Sequence, residues 1–527
     1  MKGAMMRLRM TALAGLVGAG MVAASCAADE DPLPATTTDA GDAPDTSTNP
    51  PDSSTSDVTT IVDATTDGGD ASDATIDANA DAGPVYAGNH LWSKLYGEPN
   101  ALEMGAAAIV PGPMGSVYIS GAFSGTVDFG NGGTVTGPST TTPNPNTPNC
   151  YVARMDASGA HVWSKAFVSD PQSPAVGCQV FGADAGGIYV FGGFNGTRDV
   201  GGGSLPAGGF LLKYDHAGQH LWSASTSGGG YAALIGGDIV LFDRGSDSPD
   251  YGGGPLTGTG QRSFLARLSS ANGAHVWSKQ SVGYVEPKGI AGDAAGNIII
   301  TGALGTSVDW GAGPLTRKGT VYDLFVAKFD GAGNLSWTKQ TEGGRAAIPF
   351  AIAVRPTGEI YVAGETYGAF DIGTGPVTPT NPTALNSQAP VVAKIAPTGV
   401  ALWAKTWSTN GSDVWGSAHG LATDGAGNVI VTGLAQCGLD MGGGKLPGKD
   451  GVANWFVAKL DPTGSHLWSK GWGGVSGGGA HGRSAAIDSD GNTLLLGSLN
   501  QSAIDMGGGL LTATGSRDDR VLAKLGP

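Results

Sequence analysis

The chain has 527 residues, a net charge of −16, 91 glycines and only 14% charged side chains. That balance excludes a nucleic-acid binder, which needs a basic face. The scarcity of apolar residues at helical spacing excludes a helical protein and leaves short Val/Ile/Leu/Phe runs between Gly, Asn and Asp, which read as strands and tight turns.

The N-terminus reads as an export signal rather than as fold. Lys2, Arg7 and Arg9 precede an apolar run from Met10 to Ala24, too short to span a bilayer comfortably. The run ends in Val22-Ala-Ala-Ser-Cys26, which resembles the lipobox of bacterial lipoproteins. That resemblance implies a signal peptide over residues 1–26 and lipidation of Cys26. Ala23 stands where the motif usually has Leu, so plain secretion is the alternative. In such lipoproteins an Asp after the cysteine tends to hold the protein at the inner membrane. Ala27 here implies the outer membrane or cell surface.

Residues 27–86 contain thirteen Asp and Glu30, and no Lys or Arg occurs between Arg9 and Lys94. Such a segment cannot bury enough apolar surface to offset its ordering entropy, and its like charges repel. It is expected to be a disordered tether rich in Thr, Asp, Ala and Pro. Its Asp residues lack the regular DxDxD spacing of a calcium loop.

From residue 87 onward, four elements recur seven times. The first is a weak run, clearest as GLATD before Gly425 and AIAVR before Pro356. The second is a Gly-bounded apolar run such as NIIITG from Asn297 or EIYVAG from Glu359. The third reads FVAKLD from Phe456, and the fourth carries a tryptophan, as in HLWSK from His466. We label these a to d. Tight Asp/Gly turns join a to b and c to d, as suits antiparallel hairpins. The b–c connection varies in length and carries an Asp-x-Gly element, beginning at Asp128, Asp199, Asp250, Asp309, Asp371, Asp440 and Asp505.

Four strands per unit cannot close a sheet individually, but seven units arranged radially cover one another's faces. The first folded element is a lone d run from His90 to Lys94, and the last is a lone c run from Val521 to Leu525. The expected fold is therefore an all-β, seven-bladed β-propeller over residues 87–527, closed by the N-terminal strand pairing with the C-terminal blade. These units resemble the bacterial SBBP-type β-propeller repeat, roughly FVAKLDxxGxxxWSKxxGG followed by IAxDxxGNIYVTGxFxGTVDFG. The resemblance implies a cell-surface or secreted propeller and brings no catalytic residues with it. Blade three departs most: its strand a, GYAALIG, lacks the Asp.

Residues that repeat belong to the scaffold. His90, His161, His220, His275 and His466 all lie two before the tryptophan, and the Asp-x-Gly carboxylates read as loop hydrogen-bond acceptors. Asp488-Ser-Asp490-Gly-Asn492 is a fragment of a calcium loop without the later bidentate acid. Function is expected where the repeat breaks. Trp407, Trp415 and His419 lie between blades five and six, and Trp472, His481 and Arg483 between blades six and seven. All belong to the face carrying the d–a and b–c connections, where tryptophans beside His and Arg suit stacking on sugars or holding an acidic ligand. Local packing of the tryptophans is the competing reading. A metal site on His419 and His481 lacks a third ligand.

Export permits disulfides, and Cys150 with Cys178 is the candidate pair, leaving Cys437 free. No CxxC, HExxH, GxSxG or phosphate-binding glycine loop occurs, and no cofactor is expected.

The sequence thus reads as a surface-anchored, monomeric, non-enzymatic propeller that binds a polysaccharide or a protein on its long-loop face. The alternative is an exported enzyme of quinoprotein-like or carbohydrate-active type. LDPTGSHLW resembles the tryptophan-docking motif of quinoprotein propellers, which have eight blades and calcium held by carboxylates. A further resemblance is to the eight-bladed propeller lipoprotein of the outer-membrane barrel-assembly machinery. An enzyme would bring three or more unrepeated His, Asp, Glu, Arg or Tyr side chains to one channel mouth. A binding module would present aromatics on an open face.

Overall fold

A computed structural model describes residues 88–97, 108–123, 125–137, 149–168, 176–226, 230–379, 388–407, 415–436, 438–449, 451–474, 478–513 and 518–527. The expected export signal with Cys26, the expected tether and Cys437 lie outside them. Apart from one 3-10 turn at Pro113–Gly115, all regular structure among the described residues is β.

Runs a to d pair in that order as four-stranded antiparallel sheets, an all-β arrangement consistent with a β-propeller. Seven such sheets occur among the described residues. Sheet six is representative: Gly416–Thr423, Val429–Ala435, Asn454–Leu460 and His466–Trp472. The a strands of sheets one to five and seven are Ala108–Pro111, Val176–Asp184, Tyr231–Ile235, Glu286–Gly292, Ala346–Val354 and Ala480–Ile487. Sheet seven takes its d strand from the other end of the chain: His90–Tyr96 pairs with Asp518–Leu525, from His90 opposite Leu525 to Tyr96 opposite Arg520. There Gly526 N–H donates to the Asn89 carbonyl (2.7 Å), where the other sheets have a covalent c–d turn.

The repeated residues hold the sheets together. Strand b is apolar on both faces because a sheet lies on each side, and Ile298, Ile299 and Ile300 are all fully buried. Each apolar cluster draws on two neighbouring sheets. Leu460 of sheet six packs with Tyr361 of sheet five, and Ile119 of sheet one packs with Leu494 of sheet seven. In four sheets the recurrent tryptophan donates its indole N–H to a c–d turn carbonyl of the next sheet: Trp163 to His216, Trp277 to Gly331, Trp337 to Pro397 and Trp403 to Pro462, at 3.0–3.2 Å, whereas the buried N–H groups of Trp222 and Trp468 have no such acceptor. Trp92, on the N-terminal strand, donates to Ala157 of sheet one (2.9 Å). The lysine of the c strand meets the aspartate ending strand a, as in Lys459–Asp424 (3.0 Å) and Lys524–Asp488 (2.7 Å). In sheet three, which lacks that aspartate, Arg267 pairs with Asp238 instead (2.9 Å).

The a strands lie innermost, each against the next, with Ala480–Ile487 against Ala108–Pro111. Four of them carry a β-bulge at one equivalent place, between Pro287 and Gly289, Pro349 and Ala351, Ala418 and Gly420, and Gly482 and Ser484. Each bulge starts opposite the glycine that ends the IYVTG-type motif: Gly302, Gly364, Gly433 or Gly497. A Cβ on any of these would collide with an a-strand carbonyl oxygen, of Glu286, Ile348, Ser417 or His481 respectively. The motif glycine is what lets the backbone of the bulged strand approach so closely. Gly433→Ala should therefore cost about 2 kcal/mol or more, read as a lower thermal midpoint, whereas an unchanged midpoint would show that the strand moves aside freely.

Cys150 of sheet one and Cys178 of sheet two are disulfide-bonded, with Cα atoms 5.7 Å apart and a sequence separation of 28. A loop of that length implies about 3 kcal/mol of stabilisation. Reduction, or Cys150→Ala with Cys178→Ala, should lower the thermal midpoint without changing the far-ultraviolet spectrum.

Candidate functional site

The a strands enclose a cavity of about 810 Å³. Strand direction puts its polar end where the a strands begin, on the face carrying the d–a and b–c connections. Lys288, Phe350, His419 and Arg483 line it, and these are the four residues at the bulges. A bulge inserts one extra residue and re-aims its side chain, so sheets four to seven each supply one group to the lumen from a single position of the repeat.

The four groups form a continuous arc. Lys288 Nζ lies 5.8 Å from the Phe350 ring centroid, and Phe350 meets the His419 ring at 5.0 Å with planes at 57°. Arg483 Nη1 donates to His419 Nδ1 and Arg483 Nη2 to His481 Nδ1, both at 3.2 Å. A guanidinium only donates, so Nδ1 of His419 is unprotonated and its Nε2–H donates to Ser417 Oγ (2.6 Å). Burial, reinforced by the neighbouring His481, pushes the His419 pKa down to about 4, which keeps the ring neutral.

Around the arc stand Glu365, Gln388 and Arg520, with Phe181, Tyr231 and Trp415 as further aromatic wall. Glu365 is 7% exposed, and the Gln388 amide donates to its Oε1 (3.1 Å) and to the Tyr367 hydroxyl. Burial drives the Glu365 carboxyl up to about 7 against these hydrogen bonds and the charge of Lys288. Lys288 also contacts Glu286 (3.2 Å).

The candidates expected from the sequence divide. His419, His481, Arg483 and Trp415 line the cavity together. Trp472 does not: it is 8% exposed and sits in the core with Trp455, ring centroids 5.9 Å apart. Trp407 packs against the apolar cluster between sheets five and six. Both bulky rings fill space between sheets instead of facing a ligand. The repeated groups are occupied in the scaffold, except that His220 Nε2 is buried with no hydrogen-bond partner. The Asp-x-Gly carboxylates accept loop N–H bonds, as Asp440 does from Gly442 and Gly444 (2.7 and 3.1 Å). His90, His161, His275 and His466 each meet the serine three residues on.

Lys288, Phe350, Glu365, Gln388 and Arg520 were not anticipated. The signal for two of them was present: Lys288, Phe350, His419 and Arg483 each stand five residues before the end of the IAxD-type run, at Asp293, Arg355, Asp424 and Asp488.

Comparison with protein-family models and with curated proteins gives no match. Solved structures align at low similarity. A protein of unknown function from Dyadobacter fermentans is 11% identical, with 84% of this chain and all of that one covered, at a TM-score of 0.38. A PL25 ulvan lyase bound to a GlcA–Rha3S saccharide is 11% identical, covering 82% and 96%, at 0.35. A subtype N10 neuraminidase-like protein of A/little yellow-shouldered bat/Guatemala is 8% identical, covering 67% and 94%, at 0.32.

Because Glu365 holds its proton more tightly folded than at its ordinary 4.5, its contribution to stability is present below about pH 4.5 and is lost as pH rises through about 7. Glu365→Gln should therefore raise stability on the order of 2 kcal/mol near pH 8 and leave it unchanged near pH 4. Thermal melts at the two pH values measure this, and equal effects at both would refute the assignment.

Proposed function

We propose that this chain is a seven-bladed β-propeller that binds a ligand at the channel mouth on its long-loop face. Pairing of the N-terminal strand with the last sheet and the circular succession of a strands support the blade count and the closure. The resemblance of its units to SBBP repeats supports a surface or secreted protein. We further propose lipidation at Cys26, residues 27–86 as a tether, and display at the outer membrane, from the lipobox-like sequence and the acidic composition.

One observation carries the binding role. Five unrepeated polar side chains (Glu365, His419, His481, Arg483 and Arg520) line the same cavity as Phe181, Tyr231, Phe350 and Trp415. An apolar wall with a few convergent polar groups is what an oriented ligand site needs, and a polysaccharide end or a protein side chain fits it in kind.

A second reading, a carbohydrate-active enzyme, is favoured by the pairing of a neutral, oriented His419 with a protonatable Glu365 in one cavity. Of the two, Glu365 is the group poised for proton transfer, because Arg483 and Ser417 already engage both nitrogens of His419. A hydrolase with paired carboxylates fits less well, because Glu365 is the one carboxylate among the described residues that line the cavity.

A glycan array probed with the full chain tests the first reading. Binding is expected that falls at least about tenfold in His481→Ala and persists in folded Trp407→Ala. Binding indifferent to His481→Ala would sink the channel-mouth reading. Cleavage of a bound glycan, abolished in His419→Ala, would move the protein to the second.

A further inference from the structure

We infer that the ligand is an anionic saccharide chain, carboxylated or sulfated, read by the arc Lys288–Phe350–His419–Arg483; this rests on the channel-mouth reading above and narrows it. Three cations, Lys288, Arg483 and Arg520, line the cavity with Glu365 as the one carboxylate of the lining, and Glu286 beside the lining pairs with Lys288 (3.2 Å), which leaves the cations in excess. The whole chain carries −16 and its folded part is acidic too, so this cationic lining runs against the average of the molecule. Attraction at this mouth is therefore local, built by residues that a bulge turns inward.

The order of groups along the arc matters as much as their charge. A cation stands at each end, Lys288 in sheet four and Arg483 in sheet seven, with the Phe350 ring and the neutral His419 ring between them. Flat aromatic faces pack on the C–H faces of sugar rings, and a guanidinium matches a carboxylate or sulfate in a planar fork. An arc alternating charge, ring, ring and charge thus suits a saccharide whose anionic groups recur along a chain. A compact anion such as free phosphate would use one end only. Arg483 donates from Nη1 and Nη2 to two histidine acceptors, which fixes its guanidinium before any ligand arrives.

Calorimetric titration of the full chain, solubilised in detergent, with polygalacturonate, dextran sulfate and neutral dextran tests this. At least one anionic polymer should bind about tenfold or more tightly than neutral dextran. The polymer that binds decides between carboxylate and sulfate. Lys288→Gln and Arg483→Gln should each weaken it about tenfold, Phe350→Ala should weaken it with the fold intact, and Lys288→Arg should retain it. If Arg483→Gln does not fold, Lys288→Gln and Phe350→Ala carry the test. Neutral dextran binding equally well, with loss in Phe350→Ala, would overturn the anionic assignment while leaving the channel-mouth reading in place. Anionic binding unaffected by all three substitutions would locate it elsewhere on the surface and overturn both. Failure of all three polymers to bind would likewise overturn the saccharide assignment.

Discussion

A four-stranded sheet that is apolar on both faces cannot stand in water, and the rest of this structure follows from that constraint. Strands b and c are buried on either side, so every sheet needs two neighbours, and each apolar cluster is shared between adjacent sheets. A row of such sheets would leave two end faces exposed. Here the last sheet packs on the first, and the N-terminal strand pairs beside the C-terminal one. The tryptophan adds direction to this packing, because its N–H reaches a turn carbonyl that only the next sheet supplies. Five of the seven indole nitrogens find such an acceptor, while Trp222 and Trp468 keep the packing without it, so the ring's apolar area is the common reason that the tryptophan recurs.

The same arrangement leaves the a strands with a surface that lines the cavity instead of meeting another sheet. Symmetric residues there would give a featureless lumen. The bulge changes what this surface presents by adding a residue that no partner strand opposes, and the facing glycine removes the side chain that would block it. Scaffold and site are separated within a single strand: Gly420 to Asp424 continue the repeat, while His419 just before them is free of its pattern.

How much of this could be read in advance follows the same division. The four strands, their order and the pairing of His90 with the last c strand were legible because they depend on residues repeated in every unit. The structural roles of the Asp-x-Gly carboxylates and of the histidines before each tryptophan were legible for the same reason. His419, His481, Arg483 and Trp415 stood out as departures from the repeat. Lys288 and Phe350 did not, because their neighbours keep the pattern and only their shared place, five residues before the end of the run, marks the bulge. Trp472 and Trp407 misled in the opposite sense. A large aromatic outside the repeat is conspicuous in sequence, yet its area serves to fill the gap between sheets. Glu365 and Arg520 come from strands b and c, and only the end-on view of sheets five and seven brings them to the lumen.

The asymmetry of the lumen bears on what the molecule evolved to do. Sheets four to seven contribute bulged Lys, Phe, His and Arg in succession, while the described a strand of sheet one pairs without a bulge and that of sheet two bulges further along, at Phe181. A repeat built only for rigidity would have no use for different side chains at one equivalent position. Burying His419, Glu365 and Arg520 also opposes stability, since each charged or polar group must be desolvated and then satisfied. The Gln388 and Tyr367 contacts to Glu365, and the two histidines on Arg483, are what makes that burial tolerable. A fold that assembles such partners around one end of its axis is using stability gained between its sheets to hold reactive groups in place.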